Sequence, residues 1–462
     1  MLLLPALVSV IYREDGWKWF LLTAAITAVF GTLLTLFRPA ERRVYAREGL
    51  VITALSWVLV SLFGALPFYF SGEIHGYINC LFETASGFST TGSTVVADPA
   101  ALSYGMGFWR CFTQWLGGMG VLVLLMTVLP LGNEHSMHIM RAESPGPMVG
   151  KLVPKMSETA KILYAIYIAL TVIEAVLLIC GGMSVYDAVV HAFTTAGTGG
   201  FSTRAASIAG FGSLYIEIVI TVFMALFGVS FNIYFFILIG KFRDVVKNGE
   251  LRVYLVTMLA GMAVIAANIT SIYGNFFTAL RYSAFQVSTV MSTTGYATAD
   301  FDTWPALSKT ILMLMLLVGG CAGSTGGGIK FARVMIWAKK MAADLRRTFR
   351  PRAVPIVTMD GKRVPDTAIS GATNFFAIYL ACSAVFTLIV SIDGFSPETN
   401  LTAVLTCMSN VGPGLGFVGP SYTFAGFSGL SKLVLSAAML FGRLELFPML
   451  ALCDIGAWFR RK

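Results

Sequence analysis

The chain has 462 residues, of which 56% are hydrophobic and only 12% charged, with a mean hydropathy of +0.76. That composition lies outside the soluble globular range and marks an integral membrane protein. The formal charge of +9 does not point to nucleic acid, because 25 of the 33 Lys and Arg residues fall in five stretches between apolar segments.

Those basic stretches are 38–49, 131–161, 240–252, 330–363 and the C-terminal RRK. The alternate connections carry almost no Lys or Arg and hold Asp98, Asp187, Asp393 and Glu398. The positive-inside rule places the first set, with the C-terminus, in the cytoplasm and the second outside. Seven cysteines (Cys80, Cys111, Cys180, Cys321, Cys382, Cys407, Cys453) are odd in number and show no C-x-x-C spacing. They read as small packing residues, not as a disulfide framework or zinc site.

In chain order, residues 1–48 form an N-terminal helical segment. MLLLPALVSVI lacks a basic n-region and a cleavage site, so it does not read as a signal peptide, and with Pro5 inside it reads as too short to span. A span near 17–37 runs inward, which leaves 12–16 outside. A complete preceding helix needs about ten further residues upstream, so the first helix reads as incomplete. Residues 49–130 hold spans near 49–70 and 107–130, and 131–160 is a cytoplasmic loop, where Glu134, His135 and His138 read as solvated surface. Residues 161–240 hold spans near 162–181 and 213–239; residues 241–340 hold 252–272 and 306–318. A second cytoplasmic loop covers 341–366, and 367–462 holds spans near 370–392 and 430–456.

Between the two spans of each unit the same pattern recurs. Aligned on one glycine, the segments are ETASGFSTTGSTV (Gly92), HAFTTAGTGGFST (Gly200), QVSTVMSTTGYAT (Gly295) and AVLTCMSNVGPGL (Gly412). Each glycine follows a short apolar stretch rich in Ser and Thr: Ile78 to Ser89, Tyr186 to Gly197, Leu280 to Ser292 and Leu401 to Ser409. About twelve helical residues reach about 18 Å, or half the hydrocarbon thickness. The expected fold is therefore all-α and polytopic, with a unit of membrane helix, half-helix, loop and membrane helix repeated four times.

A backbone that stops being helical at membrane depth leaves polar groups unpaired, at several kcal/mol each, unless the loop lines water or binds something. Glycine permits positive φ and close approach of main chain to a ligand. Inward carbonyls then suit a dehydrated monovalent cation, and the half-helix C-termini add negative dipole. The candidate ion-binding residues are Thr90, Thr91, Gly92, Thr198, Gly199, Gly200, Thr293, Thr294, Gly295, Asn410, Val411 and Gly412. Packing between membrane helices also enriches small residues, but four glycines in register within identical units favour a filter.

Six glycines within GGCAGSTGGG (319–328) remove helix propensity at about 1 kcal/mol each, more than a packing notch requires. No G-x-x-x-x-G-K-[ST] pattern is present, so a phosphate loop is excluded. Gly319, Gly320, Gly323, Ser324, Thr325, Gly326, Gly327 and Gly328 read as an intramembrane gate. Arg443, mid-span, costs about 2.5 to 3.5 kcal/mol unless it faces a partner or a watery cavity. An ion pair with Glu445 or with a Glu on another repeat, and a fixed charge below the filter, are both open readings. Glu83, Glu174, His191 and Glu217 read as inter-repeat hydrogen-bonding groups, and Asp98, Asp300 and Asp302 as an ordinary solvated external face rather than a cation-concentrating entrance.

These residues resemble the Trk/Ktr/HKT cation-uptake superfamily, and within it the bacterial TrkH type. The resemblance spans essentially the whole chain. Besides the four loops it is carried by WLGGMG (115–120), RAESPGP (141–147), GGFST (199–203), GGCAGSTGGGIK (319–330) and MLFGRLELF (439–447). It implies a potassium-translocating subunit, with four repeats around one pore in pseudo-fourfold symmetry, working as a homodimer in the inner membrane among its lipids. A cytosolic nucleotide-binding regulatory ring of the TrkA type is the implied partner. In the family, glycine at all four filter positions goes with potassium preference, whereas serine in the first loop goes with sodium conduction. Gly199 in the second loop and Asn410, Val411 and Pro413 in the fourth depart from the pattern, which implies looser selectivity. Coupled symport by H+ or Na+ is the alternative, although four repeats in one orientation are not two inverted ones. No clustered acid/base or metal constellation supports an enzyme.

Overall fold

The computed structural model describes residues 1–36, 46–120, 156–352 and 356–453. Among these residues the chain is helical apart from one two-stranded hairpin. Helices α1 (Leu3–Ile11) and α2 (Trp17–Leu36) precede the first unit and pack on each other.

Unit one comprises α3 (Ala46–Gly64), its kinked continuation α4 (Leu66–Ser71), the half-helix α5 (Tyr77–Phe88) and α6 (Tyr104–Gly118). Unit two comprises α7 (Met156–Cys180), half-helix α8 (Val185–Ala196), α9 (Leu214–Phe227), α10 (Phe231–Leu238) and α11 (Phe242–Lys247). Unit three comprises α12 (Gly249–Tyr273), half-helix α13 (Phe276–Met291), α14 (Ala306–Val318) and α15 (Phe331–Phe349), followed by the hairpin β1 (Thr358–Met359) and β2 (Lys362–Arg363). Unit four comprises α16 (Asp366–Val390), half-helix α17 (Pro397–Ser409), α18 (Gly429–Arg443) and α19 (Phe447–Cys453).

Among the described residues, five helical stretches are long and apolar enough to cross a bilayer, and only 11% to 39% of each such window is buried inside the protein. An apolar face left outward at that length belongs to lipid, where every backbone group must be paired within the helix. The units close a cycle. The helix that ends each unit's loop packs on the half-helix of the next: α6 on α8, α9 on α13, α14 on α17, and α18 back on α5. This is the pseudo-fourfold arrangement expected from the repeat.

Several sequence-based boundaries differ. The span placed at 213–239 is two helices bent by 92° at residues 228–230. Residues on both sides of the bend are apolar, so hydropathy runs through it unbroken. The freed backbone groups are taken by neighbours: the Gly228 carbonyl accepts from Cys321 N–H, and Phe231 N–H donates to the Gly323 carbonyl, both at 2.9 Å. The span placed at 430–456 stops at Arg443, because Glu445 and Leu446 have φ of +58° and +67°. The third half-helix begins at Phe276, not Leu280, where the Asn275 side chain caps Phe277 N–H. The fourth begins at Pro397, not Leu401, capped by Ser396 on Thr399 N–H. Helix α15 runs to Phe349, into the stretch read as loop from 341. The end of the span at 107–130, residues 131–155 with Glu134, His135, His138 and RAESPGP, the basic run 38–45 and the C-terminal RRK lie outside the described residues.

Candidate functional site

All four half-helices end in the same way. Thr90, Thr198, Thr293 and Asn410 have φ of +58°, +54°, +61° and +54°. The next residue's N–H reaches back five residues: Thr91 to Ser86, Gly199 to Thr194, Thr294 to Thr289 and Val411 to Thr406, at 2.8 to 3.0 Å. The left-handed residue itself donates three back, to Gly87, Thr195, Val290 and Cys407, at 2.9 to 3.3 Å. These paired bonds are a Schellman cap, whose left-handed position is usually glycine or asparagine. Threonine there costs of order 1–3 kcal/mol, and such strain persists only where the surroundings enforce it.

Two residues later the chain turns again, with φ of +83°, +73°, +87° and +102° at Gly92, Gly200, Gly295 and Gly412. The glycines interlock around a ring. A Cβ on Gly92 would lie 2.1 Å from the Gly199 carbonyl oxygen, one on Gly200 2.1 Å from Thr294 O, one on Gly295 2.0 Å from Val411 O, and one on Gly412 2.8 Å from Thr91 O. Each loop therefore presses its glycine on the next loop's carbonyl, and the fourth closes on the first. Thr90, Thr91, Thr198, Thr293, Thr294, Asn410 and Val411 are fully buried. A single cavity of ≈ 170 Å³ touches all four glycines.

Side chains from neighbouring units brace this ring. Gln114 on α6 donates Nε2 to the Gly199 carbonyl (2.7 Å) and accepts from Phe201 N–H (3.1 Å). It also accounts for both glycines that set loop two apart: a Cβ on Gly199 would lie 2.3 Å from Gln114 Cδ, and one on Gly197 2.3 Å from Gln114 O. Asn410 donates to Thr91 Oγ1 (2.9 Å), and Ser93 Oγ donates to the Gly412 carbonyl (3.2 Å), which ties unit four to unit one. Above the ring a buried pair joins Arg110 Nε to Glu83 Oε1 at 2.6 Å. Glu83 also accepts from Thr94 Oγ1 and Val95 N–H, and Arg110 Nη1 reaches the Ser202 carbonyl of unit two. No motif or repeat singles out Gln114 or Arg110; the signal available for them is a cationic and a polar residue four apart within YGMGFWRCFTQWLGG.

The 319–328 stretch is non-helical and lies against the inner ends of the third and fourth half-helices. Gly327 N–H donates to Thr293 Oγ1 (2.6 Å), and a Cβ on Gly327 would meet Ser409 O at 2.3 Å. Thr325 Oγ1 donates to Phe227 O (3.2 Å), Ser324 Oγ to Cys321 O (2.7 Å), and Lys330 Nζ to the Gly326 carbonyl. Gly319, Gly323 and Gly328 have φ of +74° to +77°. Gly320 packs on Gly228. Arg443 gathers the parts: Nη1 donates to Thr325 O (2.7 Å) and Thr90 Oγ1 (3.3 Å), and Nη2 to Gly117 O (2.6 Å) and Gly118 O (2.5 Å).

Other expectations are corrected. Glu445 pairs with Arg333, not Arg443, because the left-handed turn after the helix aims it at α15. Of the four groups expected to bond between repeats, Glu217 does so, to Arg281 at 2.6 and 2.7 Å. Glu83 pairs within its own unit, and the His191 ring bonds Asp187 O and Ser202 Oγ of its own unit, while the His191 main-chain oxygen accepts from Tyr296 Oη of unit three at 3.2 Å. Glu174 is fully buried, and among the described residues its carboxyl oxygens make no hydrogen bond between repeats. Asp98 and Asp300 cap short turns, and Asp302 holds Lys309 and Gly416 N–H. The charged residues lining the cavity over the ring are instead Arg110 and Arg204.

Comparison with known proteins gives concordant matches. The profile of a family described as TrkH, cation transport protein, matches residues 18–456. The Trk system potassium uptake protein TrkH of Salmonella typhimurium is 34% identical, covering 99% of this chain and 95% of its own length. That of Escherichia coli K12 is 33% identical over the same shares. The crystal structure of the potassium transporter TrkH from Vibrio parahaemolyticus superposes with a TM-score of 0.87 at 30% identity, covering 99% of this chain and 96% of that one.

Proposed function

Since the chain belongs to the TrkH family of cation transport proteins, we propose that it takes up potassium through the ring of four loops. Membership assigns ion transport, not catalysis. The observation that carries the reading is the closed cycle in which Gly92, Gly200, Gly295 and Gly412 each abut the next loop's carbonyl. Thr91, Gly199, Thr294 and Val411 supply those carbonyls, one level deep, and Thr90, Thr198, Thr293 and Asn410 supply the level below. Carbonyl oxygens replace the hydration shell of a monovalent cation that enters from the cavity above. The half-helix C-termini, aimed at the ring by identical caps, add negative potential.

Net movement is inward, down a membrane potential worth about 2.3 kcal/mol per charge per 100 mV. The 319–328 loop lies across the pathway below the ring and acts as its gate. Arg443 bonds both the ring, through Thr90, and the gate, through Thr325. Its fixed charge weakens cation binding at that level, so an ion leaves without a deep trap. The unequal ring, with Gln114 engaged on Gly199 O and a looser contact at Gly412, supports a preference for potassium over sodium that is less than strict.

The protein resides in the bacterial inner membrane with its C-terminus cytoplasmic, works as a homodimer, and is controlled by a cytosolic nucleotide-binding ring of the TrkA type. Rubidium uptake into vesicles holding the purified protein, challenged with sodium, tests the reading. Rubidium that enters, is displaced by potassium and is displaced poorly by sodium supports it; uptake indifferent to the cation sinks it.

A further inference from the structure

The loop leaves the helical path at Gly319 and rejoins it at Phe331, and one carboxylate holds both ends. Glu250, the second residue of α12 and 8% exposed, accepts from Ala322 N–H at 2.6 Å and from Ala332 N–H at 3.1 Å with the same oxygen, Oε1. Ala332 is the second residue of α15, so Glu250 also supplies an acceptor to an otherwise orphaned N–H of that helix's first turn. Two points ten residues apart in the chain are thus pinned to a single atom. Hydrogen bonds to an ionised acceptor are about twice as strong as neutral ones.

The residue before the clamp is tied to the hairpin. Gly249 N–H donates to Asp360 Oδ1 at 2.9 Å, and a Cβ on Gly249 would come within 2.7 Å of that oxygen. Asp360 stands between β1 and β2, and Lys339 of α15 donates Nζ to the Thr358 carbonyl at 2.7 Å. The hairpin therefore grips the start of α12 and the helix that follows the loop. Glu250, Ala322, Ala332, Asp360 and Lys362 line one cavity of ≈ 600 Å³.

We propose that Glu250 is the clamp that keeps the 319–330 loop across the pathway, and that the 358–363 hairpin, through Asp360, holds the clamp in position. The proposal rests on the reading of 319–328 as the gate. Glu250 is a positioning residue that acts through the loop backbone and makes no contact with the ion. Any displacement of the hairpin pulls on Gly249, one residue from the clamp, and so reaches both ends of the loop together.

Basal rubidium uptake into vesicles, without a cytosolic partner, tests this in four variants. Glu250→Ala raises uptake about tenfold, the scale of one lost charge-assisted hydrogen bond, and leaves the potassium-to-sodium preference unchanged. Glu250→Gln, whose Oε1 still accepts both bonds, stays within a few-fold of the parent. Asp360→Ala moves uptake in the same direction as Glu250→Ala by a smaller factor. A deletion within 319–328 raises uptake, and Glu250→Ala adds nothing to it. If the deletion opens the pathway while folded Glu250→Ala does not, the clamp is wrong and the gate stands; if the deletion leaves uptake unchanged, the gate reading itself fails. Should Glu250→Ala not fold, Asp360→Ala decides: unchanged uptake overturns the proposal.

Discussion

Replacing Gly92 by Ser tests the ring at one contact. At φ +83° an L-residue costs about 1–2 kcal/mol from the backbone alone. The new Cβ would stand 2.1 Å from the Gly199 carbonyl oxygen, so that oxygen must recede by about 0.9 Å to reach the 3.0 Å below which such contacts are essentially never seen. A binding constellation holds its geometry to about 0.5 Å, so one wall of the ring moves beyond tolerance. Loss of about 1.4 kcal/mol of discrimination corresponds to a tenfold fall in potassium preference over sodium. Gly72→Ala is the control: its φ of +74° imposes the same backbone strain, but nothing lies within 4 Å. Sodium competition against rubidium uptake in vesicles reads the outcome. Equal preference in Gly92→Ser and the parent, with the protein folded, refutes the reasoning; so does an equal loss in Gly72→Ala, which would assign the effect to strain.

Arg443→Lys should behave more like Arg443→Gln than like the parent in basal rubidium flux, because one ammonium cannot reach Thr325 O, Thr90 Oγ1, Gly117 O and Gly118 O together. Both should raise flux; a Lys variant with parental flux contradicts the bridge. Arg110→Ala leaves Glu83 buried beside the ring without its cation and should lower unfolding stability in detergent by about 3–5 kcal/mol, whereas a Glu83→Gln, Arg110→Gln double variant recovers part of that loss. Gln114→Leu removes the donor on Gly199 O and the acceptor of Phe201 N–H. It should cost about 1–3 kcal/mol and shift sodium competition; a change in stability alone would make Gln114 a packing residue only.

The repeat was legible because four glycines recur at matched places within matched apolar units, and the structure brings those four residues into one ring. The left-handed turns at Thr90, Thr198 and Thr293 were not legible. Threonine ordinarily avoids that conformation, and only Asn410 is a residue type that signals it. The bend at 228–230 was hidden because Phe227 and Phe231 on either side are equally apolar, and the partners that satisfy it, Cys321 and Gly323, lie about a hundred residues away in sequence. The third half-helix starts four residues ahead of Leu280, where the Asn275 side chain caps Phe277 N–H. Arg281 sits inside it, its guanidinium neutralised by Glu217 from another unit. Local pattern reports periodicity and turn chemistry, while ion pairs such as Glu83 with Arg110 and Arg333 with Glu445 depend on which helices meet.

The most direct test of the ring as an ion path is an experimental density map of the protein grown in rubidium, with the anomalous signal used to locate the ion. The account predicts peaks in file on the axis enclosed by the carbonyls of Thr91, Gly199, Thr294 and Val411. A map with these loops in place, rubidium bound elsewhere on the protein and no peak among the four carbonyls would contradict it.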